Sequence, residues 1–441
     1  MNYYTYELAH TAIAPMRWGT NGLKMQLESP FNPFRGLLLP RMVAAGCEVF
    51  ENVTRRYGKP EWGIKETRIF GMPVPISEEI VFRKTFCNLL HFDRDRNVIG
   101  SRYDPKVLIV APLSGHYATL LRGTVKAMIQ EHNVYITDWV DARTVPVSEG
   151  RFDLDDFIDY IIEFIHYLGP NTHVIAVCQP AVPVLAAAAL MAARGDAMQP
   201  ASLTLMGGPI DTRRNETVVN RLAKARPMDW FEQNVIHRVP FPNAGFMRKV
   251  YPGFIQLTGF MQMNLDRHIE AHQNLFDDLV KGDCDSVDQH QNFYEEYLAV
   301  LDLTAEFYLQ TVKTVFKDHA LPDGRMMHRG EPVDCSAIEQ TALMTVEGEK
   351  DDICGLGQTE AAQDLCENIP VDEKYHYVQP GVGHYGVFNG TRWRTEIQPR
   401  IREFIRTIQF KRRSGNTMSV ALPYRTLHQD REAIVEYSDA E

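Results

Sequence analysis

Between Lys106 and Gly207 the chain repeats one pattern, a short run of apolar, β-branched residues followed by a helical stretch. Few architectures accept that pattern. The runs VLIVAPL, VYITDW, HVIAV and SLTLMG lack the polar alternation of a strand with one wet face, so each reads as a strand buried on both faces of a parallel sheet. The clearest intervening helix runs from Asp153 to Leu168: Leu154, Phe157, Ile158, Ile161, Phe164, Ile165 and Leu168 mark one face, and Gly169 ends it. Strands and helices in this alternation predict a doubly wound, mostly parallel α/β sheet.

The alternation lapses from Gly208 to Gln340, where aromatics, methionines and helical spacing prevail, and resumes at ALMTVEG (Ala342 to Gly348) and YHYVQP (Tyr375 to Pro380), followed by a helix near Thr395 to Ile408. Residues 101–207 and 341–410 are therefore expected to form the core, and residues 208–340 a largely helical cap insertion. Residues 1–100 read as a mainly helical N-terminal region, with Val43, Cys47, Phe50, Val53 and Tyr57 at helical spacing before Gly58 and Pro60. Residues 411–441 read as a polar C-terminal tail, whose basic Lys411, Arg412 and Arg413 are expected to be solvated.

Composition removes several function classes. With 46 Lys plus Arg against 57 Asp plus Glu, the formal net charge of −11 argues against a nucleic-acid partner. Seven cysteines at irregular spacing, without a C-x-x-C pair, suggest neither a disulfide framework nor a zinc site, and fit a reducing compartment. The N-terminus lacks the pattern of a signal peptide. The longest apolar run, Ala181 to Ala193, is shorter than the roughly 20 residues that span a bilayer and reads as a buried helix. A cytoplasmic protein without a transmembrane segment is the expectation.

In open α/β sheets reactive groups gather beyond the carboxyl ends of strands. Four such ends carry chemistry in this chain. At Ala176, Val177, Cys178, Gln179, Pro180 a strand meets a small-residue helix, the arrangement of a nucleophile elbow with Cys178 as nucleophile. Taken alone, Cys178 reads more readily as a packed core thiol than as a nucleophile. After the ALMTVEG strand, Asp351 can orient a histidine, with Asp352 as fallback. After the last strand, His384 sits in a glycine-rich turn. The chain order nucleophile, acid, histidine is that of α/β-hydrolases. After VLIVAPL, the N–H of Ser114 or Gly115 can join that of Gln179 as an oxyanion hole. Gly381, Gly383 and Gly386 spell a G-x-G-x-x-G, but no helix-opening βαβ context follows, so no nucleotide cofactor is read from it. His268 and His272, four apart without a third ligand, read as surface or packing histidines, and no metal is expected.

At these residues the sequence resembles the intracellular polyhydroxyalkanoate (polyhydroxybutyrate) depolymerases, relatives of the polyhydroxyalkanoate synthases in the α/β-hydrolase superfamily. The marks are VCQP, PLSGHYATLLRGTV, DWVDARTVP, GEKDDI and GVGHYGVFNGTRWR, and the similarity runs to about Arg406. It implies an α/β-hydrolase fold, Cys178 as nucleophile, His384 as base and Asp351 as its orienter. It also implies cleavage of a storage polyester through an acyl-thioester, at a granule surface. No cofactor is required, although coenzyme A is a candidate acyl acceptor, and homo-oligomerisation is compatible. Ala176 and Pro180 stand where most relatives in the superfamily have glycine, which bears on the elbow backbone. A synthase-like acyltransferase would be expected to show G-x-C-x-G, and an inactive granule protein to lack a triad residue. The apolar stretch GFMRKVYPGFIQLTGFMQMN suits either a channel or granule contact, or the core of the cap itself.

Overall fold

The apolar runs after Lys106 are strands of one sheet. A computed structural model describes residues 3–100, 102–263 and 265–414. The nine strands of that sheet are β1 (Glu66–Ile69), β2 (Met72–Arg83), β3 (Cys87–Arg94), β4 (Lys106–Val110), β5 (Asn133–Trp139), β6 (Thr172–Val177), β7 (Ser202–Met206), β8 (Ala342–Gly348) and β9 (Lys374–Gln379). Their spatial order is β1-β2-β3-β5-β4-β6-β7-β8-β9. Every pairing from β5 to β9 is parallel, and β1, β2 and β3 add an antiparallel edge. The residues of β6, β7 and β8 are all buried, which is why their sequences show no polar alternation. The fold is thus α/β and mostly parallel.

The helices that matter for the site are α1 (Tyr3–Glu28), α2 (Leu38–Thr54), α3 (Leu154–Leu168), α4 (Ala181–Ala193), α5 (Gly253–Met263), α6 (Leu265–Lys281), α7 (Cys284–Tyr297) and α8 (Gln398–Ser414). Helix α3 starts at a capping box between Asp153 and Asp156 and stops at Gly169, whose φ is +77°; its predicted apolar face is buried. Helix α4 is buried almost throughout, and its alanines let it lie close against the sheet.

Residues 208–340 leave the sheet after β7 and return at β8, its parallel neighbour. They carry α5, α6 and α7 and a small antiparallel sheet of His237–Arg238, Lys249–Tyr251 and Leu303–Thr304. A buried knot fastens this segment to both ends of the N-terminal half. Asp302 accepts from the Tyr3 hydroxyl at 2.7 Å and from the Gly253 N–H at 2.9 Å, and its own N–H donates to Asp141 at 3.1 Å. Burial, and then the Asp141 carboxylate, push the Asp302 carboxyl up to about 7. Tyr6 stacks on Phe254 of α5 with centroids 4.0 Å apart.

Three expectations need correction. Residues 1–100 are not mainly helical, because Glu66–Arg94 supplies β1, β2 and β3. Much of β2 is exposed, and Glu78, Glu79 and Arg83 mask its strand character. In α2 the buried positions are Ala44, Ala45, Cys47, Glu48 and Asn52, whereas Val43 and Val53 face solvent. The expected tail starts as helix: α8 runs to Ser414, where Lys411 and Arg412 pair with Asp372 and Glu373, and the Arg413 guanidinium lies 3.6 Å from the Tyr103 ring centroid. Basic residues in a last helical turn complement its dipole. The remainder of the tail, 415–441, lies outside the described residues.

Candidate active site

Register brings the chemistry together. Val177 pairs with Met206, and Met206 with Val346, so the residues that follow β6, β7 and β8 emerge at one edge of the sheet. Cys178 is the first residue after β6. It has φ +65°, a left-handed conformation that L-residues avoid, and it leads through Pro180 directly into α4. Its N–H donates to Met206 O at 2.7 Å, and its carbonyl accepts from the Ala181 N–H at 3.0 Å. The room that flanking glycines would give this turn comes from across the sheet. A Cβ on Gly208 would sit 2.1 Å from the Ala181 Cβ and 3.1 Å from the Cys178 carbonyl.

His384 follows β9 in a tight turn and is buried beside Cys178. Its Nδ1 meets Asp351 Oδ2 at 2.7 Å, and the other oxygen of Asp351 accepts the N–H groups of Ile353 at 2.9 Å and Cys354 at 2.8 Å. Asp351, not the fallback Asp352, is therefore the partner. Gly207, at φ +55°, leaves space for this pair: a Cβ there would lie 3.2 Å from His384 Cε1 and 3.4 Å from Asp351 Oδ2. Burial alone would disfavour a charged imidazole, but Asp351 and Cys178, both within hydrogen-bonding reach, hold its proton affinity well above the ordinary histidine range. Cys178 is half-buried; Cys47, Cys87, Cys335, Cys354 and Cys366 are buried, and Cys284, at the start of α7, is exposed.

The loop after β4 lies beside the elbow. The Leu113 N–H donates to the side-chain oxygen of Gln179 at 3.4 Å, while the Nε2 of that buried Gln179 side chain has no protein partner. Leu113, absent from the sequence reading, is thus a further amide at the expected oxyanion hole; its signal was its position three residues beyond β4. Ser114 and Gly115 follow it. Gly115 has φ +112°, a Cβ there would sit 2.8 Å from Gln256 Oε1 of α5, and its carbonyl accepts the Leu301 N–H at 2.7 Å. The cap therefore presses on the candidate oxyanion loop. It also supplies an aromatic roof: the buried His116 ring lies 5.4 Å from both Phe260 and Tyr297, and Tyr297 lies 5.7 Å from Tyr385. His268 and His272 pack against Tyr294 of α7.

A mostly parallel sheet with a left-handed residue at a strand-to-helix turn, and a histidine–carboxylate pair beyond the later strands, defines an α/β-hydrolase. Residues 207–409 match the family described as PHB de-polymerase C-terminus. That match and the α/β-hydrolase fold together support an ester hydrolase; Asp351 and His384 lie inside the match and Cys178 precedes it. Among solved structures, a thermophilic esterase from Thermogutta terrifontis is 13% identical with a TM-score of 0.38, covering 78% of this chain and 97% of that one. A monoacylglycerol lipase from Paleococcus ferrophilus is 14% identical with a TM-score of 0.39, covering 69% and 96%. A 2-hydroxy-6-oxo-6-phenylhexa-2,4-dienoate hydrolase from Rhodococcus sp. strain RHA1 is 12% identical with a TM-score of 0.40, covering 76% and 99%. No curated protein sequence matches the chain.

Proposed function

We propose that this protein is a poly(3-hydroxybutyrate) or related polyhydroxyalkanoate depolymerase that works through a Cys178–His384–Asp351 triad. The observation that carries this reading is the left-handed Cys178 within reach of a histidine held by Asp351, in a chain whose C-terminal half matches the depolymerase family. The Cys178 proton passes to His384 as Sγ attacks an ester carbonyl. The N–H of Gln179, with an amide of Leu113, Ser114 or Gly115, stabilises the tetrahedral oxyanion. The ester C–O bond then breaks, and the His384 proton moves to the departing alkoxide, leaving an acyl-thioester on Cys178. Water, deprotonated by His384, attacks that thioester, and cleavage of the C–S bond releases a 3-hydroxyalkanoate monomer or oligomer and regenerates Cys178. The thiol of coenzyme A can take the same place as water and would yield a coenzyme A thioester.

The site of action in this reading is the surface of a cytoplasmic polyester granule. Large apolar side chains exposed on α1, α2 and the loop between them, among them Trp18, Phe31, Leu38 and Leu39, support it. Among the described residues no helix is long and apolar enough to cross a membrane.

Purified protein incubated with amorphous polyester granules, with and without coenzyme A, tests the reading. Free hydroxybutyrate or its oligomers indicate hydrolysis, and a coenzyme A thioester formed only with the cofactor indicates thiolysis. Absence of any soluble product sinks the depolymerase reading. Cys178→Ala is expected to lower turnover by roughly 10⁴-fold or more with the circular dichroism spectrum unchanged.

A further inference from the structure

Tyr385, next to His384, and its ring partner Tyr297 have no part in the acyl-transfer steps. Tyr385 directly follows His384, and Tyr297 is the last residue of the cap helix α7. Their rings are 5.7 Å apart, with the hydroxyls within hydrogen-bonding reach of each other. The Tyr385 hydroxyl is also within electrostatic reach of Cys178, and both hydroxyls within that of Asp352. Tyr297 is held from behind: the Nε2 of His116 lies 3.1 Å from its carbonyl, and the His116 ring is tilted against its ring. Burial drives His116 down to about 4, so it is a neutral donor to that carbonyl. Burial raises both phenols, Tyr297 to about 12, so both keep their protons.

Two neutral hydroxyls carry two protons, and the bond between them uses one. The second is left for an acceptor outside the pair, the Asp352 carboxylate or a bound substrate oxygen. The acyl group on Cys178 places its carbonyl oxygen toward Gln179 and the Leu113 loop, and its chain must leave on another side of the sulfur. In a 3-hydroxyacyl unit the β-carbon, two bonds from the carbonyl carbon, bears an oxygen: an ester oxygen within the polymer and a hydroxyl at a chain end. Both forms accept a hydrogen bond. The surrounding roof of Phe260, Phe388 and a neutral His116 offers an apolar setting in which one such bond discriminates strongly.

We infer that the Tyr385–Tyr297 hydroxyl pair is the contact that reads the β-oxygen of a 3-hydroxyacyl substrate and distinguishes it from a plain acyl ester. This rests on the esterase reading of Cys178, and the two fail in different ways. The measurement is kcat/KM on p-nitrophenyl 3-hydroxybutyrate divided by kcat/KM on p-nitrophenyl butyrate, for the full chain and for Tyr385→Phe and Tyr297→Phe. The unmodified protein is expected to prefer the hydroxy ester at least fivefold, and Tyr385→Phe to reduce that ratio by about fivefold or more. Tyr297→Phe removes the partner that orients Tyr385 and is expected to reduce the ratio in the same direction. A smaller change in Tyr385→Phe overturns the inference, whatever the absolute rates. Should that variant not fold, an unchanged ratio in Tyr297→Phe overturns it. A preference below fivefold in the unmodified protein refutes the β-oxygen contact while the esterase reading stands, and hydrolysis of neither ester refutes both.

Discussion

Cys178 is a strained residue at the site: its left-handed backbone costs roughly 1–2 kcal/mol in an L-residue and is held by bonds to Met206 and Ala181. Its neighbour His384 is tuned against its burial by Asp351 and by its contact with Cys178, both of which favour the protonated ring. A histidine whose proton affinity is raised by folding contributes stability in full below its unfolded value of about 6.5, and loses it as pH rises through the higher folded value. Asp351→Asn removes the nearer carboxylate, so the His384 imidazole is expected to titrate closer to the ordinary range by NMR and ester turnover to fall about 100-fold or more. An unshifted titration would mean that Asp351 does not govern this imidazole. Cys178 and His384 were legible because each follows a strand of the core in the right chain order, Cys178 after the fully buried β6 and His384 in the glycine-rich turn after β9. Gly207 and Gly208 were not, since the space they leave is for residues of other strands, and strand adjacency is not written in local sequence.

At the scale of elements, fully buried strands announced themselves, while of the half-exposed ones β9 was read and β2 was not. The run VLIVAPL has no polar residue to confuse its reading, whereas β2 presents Glu78, Glu79 and Arg83 to solvent and was absorbed into a helical expectation. The knot at Asp302 was equally hidden, because it joins Tyr3, Gly253 and Asp141 from three distant segments. It has a pH signature. Asp302 binds a proton more tightly folded than unfolded, so its contribution to stability is fully present below about pH 4 and is lost as pH rises through about 7. The attachment of α5 is therefore expected to loosen between pH 5.5 and 8, and Asp302→Asn, which has no charge to bury, to flatten that change. Thermal melts at the two pH values, with hydrogen exchange across Gly253–Met263, measure it. An equal pH slope in both proteins would assign the titration to another group.

Across the whole molecule, the N-terminal helix pair carries ionic contacts on its inner side, beside buried Ala44, Ala45 and Cys47, and several large apolar side chains on its outer side. Arg17 donates to the Thr54 carbonyl, Lys24 pairs with Glu48, and Glu7 with Arg56, all on inward or flanking faces. Outward stand Leu8, Trp18, Met25, Phe31, Leu38 and Leu39, with Trp18 76% and Phe31 94% exposed. Isolated exposed hydrophobics are ordinary, but this many large ones on one helix pair and its connecting loop are not. The net charge of −11 offers no attraction to a neutral polyester, so in the depolymerase reading proposed above any granule attachment rests on such local apolar surface. The face is joined to catalysis, since α2 packs on α6 of the cap while Tyr3 and Tyr6 hold α5 over the loop at Gly115. Replacing Trp18, Phe31 and Leu39 together by glutamate touches none of these inner contacts. Co-sedimentation with amorphous granules and the initial rate of granule hydrolysis are expected to fall about tenfold or more, while kcat/KM on a soluble p-nitrophenyl ester stays within twofold. Equal loss on both substrates would mean that the face supports the fold of the site, and unchanged sedimentation would mean that the granule is bound elsewhere.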